Sequence, residues 1–129
     1  AYLDAQNNGD LYAGDDAFDI RCYEALCIGI SDCAVAYQYE MRLRPEEKWH
    51  QPWLDKQWGK VTSGLGEAAK NLPPAKDGLN AGSLALAAAL GYLALRFEGK
   101  WEADHPALTE WRNDFAAAHP DLAELNPSA

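Results

Sequence analysis

Three cysteines, three histidines and a few adjacent acidic pairs are the residues with which this chain could do chemistry, and their spacing limits what they could do together. Cys22, Cys27 and Cys33 fall in one apolar, helix-periodic stretch at separations of five and six residues. Side chains share a helix face at separations of three or four, so these thiols do not converge. Three is an odd number, which argues against a disulfide framework. A metal site would need imidazoles beside the thiols, but His50, His105 and His119 are remote in sequence. The cysteines read as buried structural thiols, and no metal site is expected. Glu46 and Glu47, or Asp15 and Asp16, could serve as acid and base, yet both pairs stand at expected helix starts, where carboxylates complement the helix dipole. His50 stands near Trp53 at such a start, with no nucleophile or orienting acid implied beside it. No catalytic residue is assigned, and an independent enzyme is the weakest reading.

The elements that would position these groups come from one domain, because 129 residues suffice to bury a single core without disulfide or metal support. With 48% hydrophobic and 24% charged residues, the chain has ordinary globular composition. Twenty acidic against eleven basic residues leave a net charge of -9, a field that repels phosphate backbones and anionic lipid headgroups, so nucleic acid is not expected as a partner. No stretch approaches the roughly 20 apolar residues of a membrane span, and the first residues have no signal-peptide pattern. The expectation is a cytoplasmic protein with no membrane partner.

Periodicity predicts an all-α fold. Asp16 suits an N-cap, with Asp19 in the first turn. Ile20, Tyr23, Cys27, Ile30, Ala34, Tyr37 and Met41 then follow in steps of three and four, one stripe of a long helix that Leu26 and Cys33 widen. Arg44-Pro45-Glu46-Glu47 interrupts it. Pro52 opens a second helix with Leu54, Trp58, Val61, Leu65 and Ala68 on one face, antiparallel to the first. Breakers over 71–78 form a loop. Ser83 to Phe97 has almost no polar face before Arg96, so it is expected to be a core helix covered on all sides, capped by Asn80. Pro106 opens a shorter helix with Leu108, Trp111 and Phe115 on one face, ended by His119-Pro120 and followed by a tail. No strand pattern is evident.

This order resembles the C-terminal helical domain of glutathione S-transferases. Tyr39-Glu40-Met41-Arg42-Leu43-Arg44-Pro45-Glu46-Glu47 and Trp53-Leu54-Asp55-Lys56-Gln57-Trp58-Gly59-Lys60 resemble the first two helices of bacterial-type members. The run from Leu84 to Leu93 resembles the buried helix, and Pro106-Ala107-Leu108 with Trp111 the next one. Where the family usually places Ser or Thr and then Asp in the buried helix's cap, this chain has Asn80 and Ser83, a change expected to weaken the cap by several tenths of a kcal/mol. Ala1-Tyr2-Leu3-Asp4 resembles the end of the family's N-terminal thioredoxin-like domain, so residues 1–14 are expected to be a remnant of that domain and linker, 15–122 the helical domain, and 123–129 a tail.

The resemblance implies a functional division. In the family the thioredoxin-like domain activates the glutathione thiol, and that domain is expected to be missing here. The chain would then be the acceptor-substrate half of a transferase that conjugates glutathione to hydrophobic electrophiles, inactive alone and without a cofactor of its own, glutathione being the parent's co-substrate. Its expected partners are a thioredoxin-like domain, a hydrophobic small molecule and a second copy in a homodimer. Val35, Tyr39 and Arg42, at steps of four and three off the core stripe, lie where the resemblance places the acceptor pocket's wall; the competing reading is a solvated flank or a contact with the C-terminal tail. An alternative function is a stand-alone interaction or assembly domain without catalysis. Of five tryptophans, Trp58 and Trp111 are expected in the core, and Trp49 and Trp101 are the better interface candidates.

Overall fold

The computed structural model describes residues 1–125, with side chains to Leu122; residues 126–129 of the expected tail lie outside the described residues. Five α-helices follow in order: α1 (Tyr2–Gln6), α2 (Ala17–Leu43), α3 (Gln51–Ala68), α4 (Ala81–Arg96) and α5 (Pro106–Ala118), with a 3-10 turn at Glu46–Lys48 and another at Pro120–Leu125. Among the described residues there is no strand, and the fold is all-α.

The long stripe of α2 buries as its spacing requires, with Cys27, Ile30 and Ala34 nearly inaccessible and Tyr23, Leu26, Cys33 and Tyr37 packed around them. α3 runs antiparallel to it. The Tyr23 hydroxyl donates to the Ala68 carbonyl at 2.9 Å, Gly64 faces Ile30 and Leu26, and the Tyr37 and Trp58 rings meet at 5.6 Å, so α2 advances as α3 retreats. α4 runs parallel to α2, since Tyr23 lies against Gly82 while Tyr37 meets Phe97 at 5.6 Å. Leu65, Leu86, Leu90, Leu93 and Leu108 are wholly buried where these helices meet α5, each worth about 1.5–3 kcal/mol relative to exposure.

Helix ends follow from local chemistry. Asp16 is the N-cap of α2, its carbonyl accepting from the Ile20 amide at 2.9 Å, but its side chain accepts no backbone hydrogen bond; Asp19 in the first turn supplies the negative charge instead. The Asn80 side chain accepts from the Ser83 amide at 3.0 Å, and the Ser83 hydroxyl donates to the Pro74 carbonyl at 2.7 Å. Ser83 therefore fastens the preceding loop to the helix start, a role the sequence pattern did not suggest. After α4, Gly99 with φ +78 reverses the chain. Lys100 then lays its ammonium over the rings of Trp58 at 4.1 Å and Tyr37 at 4.2 Å and bonds to the Tyr37 hydroxyl at 2.7 Å, closing that end of the bundle.

Two expectations about packing are corrected. Trp101 is not an interface residue: it is 1% exposed, driven beneath the bundle by the Gly99 turn, whereas Trp53 is 43% exposed and Trp49 half-buried. Nor is α4 covered on all sides. Ala88 is exposed and Leu84, Tyr92 and Leu95 are half-buried, because α2 and α5 cover only part of the helix. The cysteines also divide: Cys27 is buried, Cys33 half-buried, and Cys22 exposed on the flank of α2 away from the core.

Candidate functional site

Val35, Tyr39 and Arg42 emerge on the side of α2 opposite its buried stripe, because steps of four and three keep them together while the core residues take the other face. Ile28, two turns before Val35, continues the row. Val35 is half-buried, Ile28 and Tyr39 are 51% and 55% exposed, and Arg42 is exposed. The row is therefore an apolar and aromatic stripe that ends in a cation and is interrupted by the exposed carboxylate of Asp32, between Ile28 and Val35 on the same side of the helix.

The C-terminal turns of α4 come beside its upper end. Tyr92 is half-buried, and its hydroxyl is pushed above the ordinary tyrosine range by burial first; Arg96 opposes the shift and Tyr39 adds slightly to it. Tyr39, Tyr92 and Arg96 thus share one electrostatic neighbourhood, with Arg42 one turn beyond Tyr39. The sequence reading missed Tyr92 and Arg96 because it took α4 as wholly covered. Their i, i+4 spacing in a helix otherwise built from Leu, Ala and Gly was the available signal.

An open concavity of about 650 Å³ lies on a different flank of α2, lined by Glu40, Arg44, Glu47, Lys48, Trp49, His50 and Trp53. Its polar groups largely serve local structure. Glu40 pairs with Arg44 at 3.2 Å and accepts the His50 amide at 3.2 Å, and the Trp49 indole donates to the Arg44 carbonyl at 2.9 Å. These bonds stitch the end of α2 to the start of α3. The concavity does not include Val35, Tyr39 or Arg42. The described residues hold no cluster of His, Cys, Asp or Glu that could bind a metal ion, and no described helix is long and apolar enough to cross a membrane.

No protein-family model and no curated protein matches the chain. Solved structures do. A glutathione S-transferase of Methylobacterium radiotolerans, in complex with glutathione sulfonate, is 33% identical, with a TM-score of 0.85 over 99% of this chain and 63% of that one. The chain belongs to the glutathione S-transferase family. A glutathione transferase family member from Pseudomonas fluorescens with bound glutathione is 30% identical, covering 99% of this chain and 64% of its own, with a TM-score of 0.80. A glutathione S-transferase of Methylobacillus flagellatus with glutathione bound is 29% identical over 86% of this chain and 59% of that one, with a TM-score of 0.73. The chain thus spans about 63% of the length of its first transferase relative.

Against this family, the helices carry the C-terminal all-α bundle that the sequence strings resemble. Within the transferase bundle, the open stripe on α2 and the open edge of α4 have no covering element among the described residues. Cys27 is no candidate for a reactive thiol: burial pushes it up to about 12, so it stays protonated at neutral pH. Residues 1–14 are fastened to the bundle. The Ala81 amide donates to the Leu11 carbonyl at 3.1 Å, and the Tyr12 hydroxyl lies 2.8 Å from both carboxylate oxygens of Glu24.

Proposed function

We propose that this chain is the acceptor-substrate domain of a glutathione transferase, active only when a thioredoxin-like domain stands against it, and that Val35, Tyr39 and Arg42 form part of the acceptor's wall. The observation that carries the reading is the row Ile28, Val35, Tyr39, exposed at both ends and half-buried at Val35, which spends apolar surface on solvent away from a well-buried core stripe. Apolar and aromatic groups of this kind suit a hydrophobic electrophile held beside a glutathione thiolate. The solved relatives with glutathione or glutathione sulfonate bound support the co-substrate. Residues 1–14 are read as the junction with the thioredoxin-like domain.

Conjugation of glutathione to a chloroaromatic electrophile tests this. The 129-residue chain alone is expected to give no rate above buffer, and addition or fusion of a thioredoxin-like domain from a bacterial transferase is expected to give saturable turnover. Turnover by the chain alone would refute the division of labour. For the homodimer, we assign the other exposed flank of α2, where Phe18, Cys22, Ala25 and Gly29 follow at steps of four, three and four and are all exposed. The small side chains of Cys22, Ala25 and Gly29 allow two helices to approach closely beyond the bulky Phe18.

A further inference from the structure

Resting on that acceptor-domain reading, we propose that residues 4–13 form a rigid strut that holds α1, and through it the thioredoxin-like domain, at a fixed angle to the bundle, with Tyr12 as the positioning residue that locks the strut to α2. α1 contributes nothing to the core: none of its residues is buried, and Tyr2 and Leu3 are 75% and 73% exposed. It is nonetheless tied to the bundle by a succession of polar contacts. The Asp4 carboxylate accepts the Leu11 amide at 3.3 Å, and the Asp4 carbonyl accepts the Gly9 amide at 2.8 Å. A Cβ on Gly9 would run into that carboxylate, so the loop closes only around a residue without a side chain. The Ala13 amide then donates to the Asp10 carbonyl at 2.9 Å, adding a tight turn.

Leu11 and Tyr12 anchor this segment to two helices. The Leu11 carbonyl takes the Ala81 amide at 3.1 Å, one of the first-turn donors of α4 that its own helix cannot satisfy. The Tyr12 hydroxyl donates to Glu24, 2.8 Å from both carboxylate oxygens, and the Arg21 guanidinium lies 4.9 Å from the centre of the Tyr12 ring. Arg21, Glu24 and Ile28 follow on α2 at steps of three and four, so Tyr12 crosses the helix one turn before the row that continues through Val35 and Tyr39. A flexible tether lets two domains explore many relative positions, whereas a segment bonded at Asp4, Leu11 and Tyr12 leaves few. The reacting thiolate comes from one domain and the acceptor's wall from the other, so the strut sets their separation, and small misplacements of reacting groups slow a reaction steeply.

The test uses the chain fused at Ala1 to a thioredoxin-like domain from a bacterial transferase, with spin labels on that domain and on exposed Cys22, Cys33→Ser, at concentrations that keep the fusion a monomer. The unaltered strut is expected to give one narrow distance between the labels. Tyr12→Phe keeps the ring over Arg21 and loses the bond to Glu24. It is expected to broaden the distances and lower kcat about tenfold, with the KM for glutathione and the helix melt by circular dichroism unchanged, because Tyr12 lies outside the core cluster. Gly9→Ala, which breaks the strut without touching α2, is expected to do the same, and Glu24→Gln, whose amide oxygen still accepts from Tyr12, to keep the narrow distance and the turnover. Distances that stay narrow in both Tyr12→Phe and Gly9→Ala, or that are already broad in the unaltered fusion, would overturn the strut. A fusion without turnover defeats the acceptor-domain reading instead, and the distances still decide: narrowness lost in Tyr12→Phe upholds the strut, and narrowness kept overturns it.

Discussion

At the scale of single residues, burial separates three cysteines that look alike in sequence. Cys22 is exposed, Cys33 half-buried, and Cys27 1% exposed with its thiol pushed up to about 12 by burial. At concentrations low enough to keep the chain a monomer, a disulfide reagent is expected to modify Cys22 quickly, and Cys27 only when the chain unfolds; a fast reaction at Cys27 in the native chain would contradict its packing. Alkaline pH makes the same point thermodynamically. Tyr23 is also raised, first by burial and then by Cys27. For both groups the folded pKa exceeds the unfolded one, so unfolding releases protons once the pH passes the unfolded thiol's value of about 8.5. The stability they contribute is intact below that point and is lost as pH rises toward about 12. Denaturant melts between about pH 8 and 11 should show stability falling with a slope approaching 1.4 kcal/mol per unit for the thiol, and Cys27→Ala should flatten that part of the slope.

At the scale of elements, the α2–α3 contact depends on one missing side chain. A Cβ on Gly64 would stand 2.6 Å from Cγ1 of Ile30, whereas one on Gly59 or Gly66, in the same helix, would meet nothing within 4 Å. Alanine gains about 1 kcal/mol of helix propensity over glycine at all three places. Gly59→Ala and Gly66→Ala should therefore stabilise the chain, while Gly64→Ala should destabilise it by about 1–3 kcal/mol because the overlap exceeds the propensity gain. Ile30→Ala, itself a costly truncation in the core, should cost less in the Gly64→Ala background than in the unaltered chain, a coupling that a double-mutant cycle measures directly. The helices themselves were legible in sequence, since the stripe from Ile20 to Met41, the proline starts and the Asn80 cap each rest on local periodicity or backbone chemistry. What was not legible depends on which neighbours a helix has. The leucines and alanines of α4 suggest burial all round, yet Leu84, Ala88 and Leu95 stay partly open because composition does not reveal what packs where. Trp101 was misplaced for a related reason: its burial follows from the Gly99 reversal, whose direction no helix period encodes.

At the scale of the whole molecule, α2 carries three surfaces at once: a core stripe, the open row from Ile28 to Tyr39, and the flank of Phe18, Cys22, Ala25 and Gly29. The candidate site was legible to the extent that Val35, Tyr39 and Arg42 could be placed off the core stripe; its α4 half, Tyr92 and Arg96, needed the helices side by side. The flank with small residues allows the self-association proposal to be tested by a change that separates folding from assembly. Gly29 is exposed, and a Cβ there would meet nothing within 4 Å in its own chain, so Gly29→Leu should raise the stability of the isolated chain by up to about 1 kcal/mol through helix propensity. In a pair of chains packed along this flank, the same leucine would hold the two helices apart. Light scattering should then give twice 14.2 kDa for the unaltered chain at high concentration and the single mass for Gly29→Leu, with thermal stability of the dissociated chain increased. A variant that stays dimeric would move the interface elsewhere, and an unaltered chain that remains a monomer at high concentration would remove the homodimer from the functional reading.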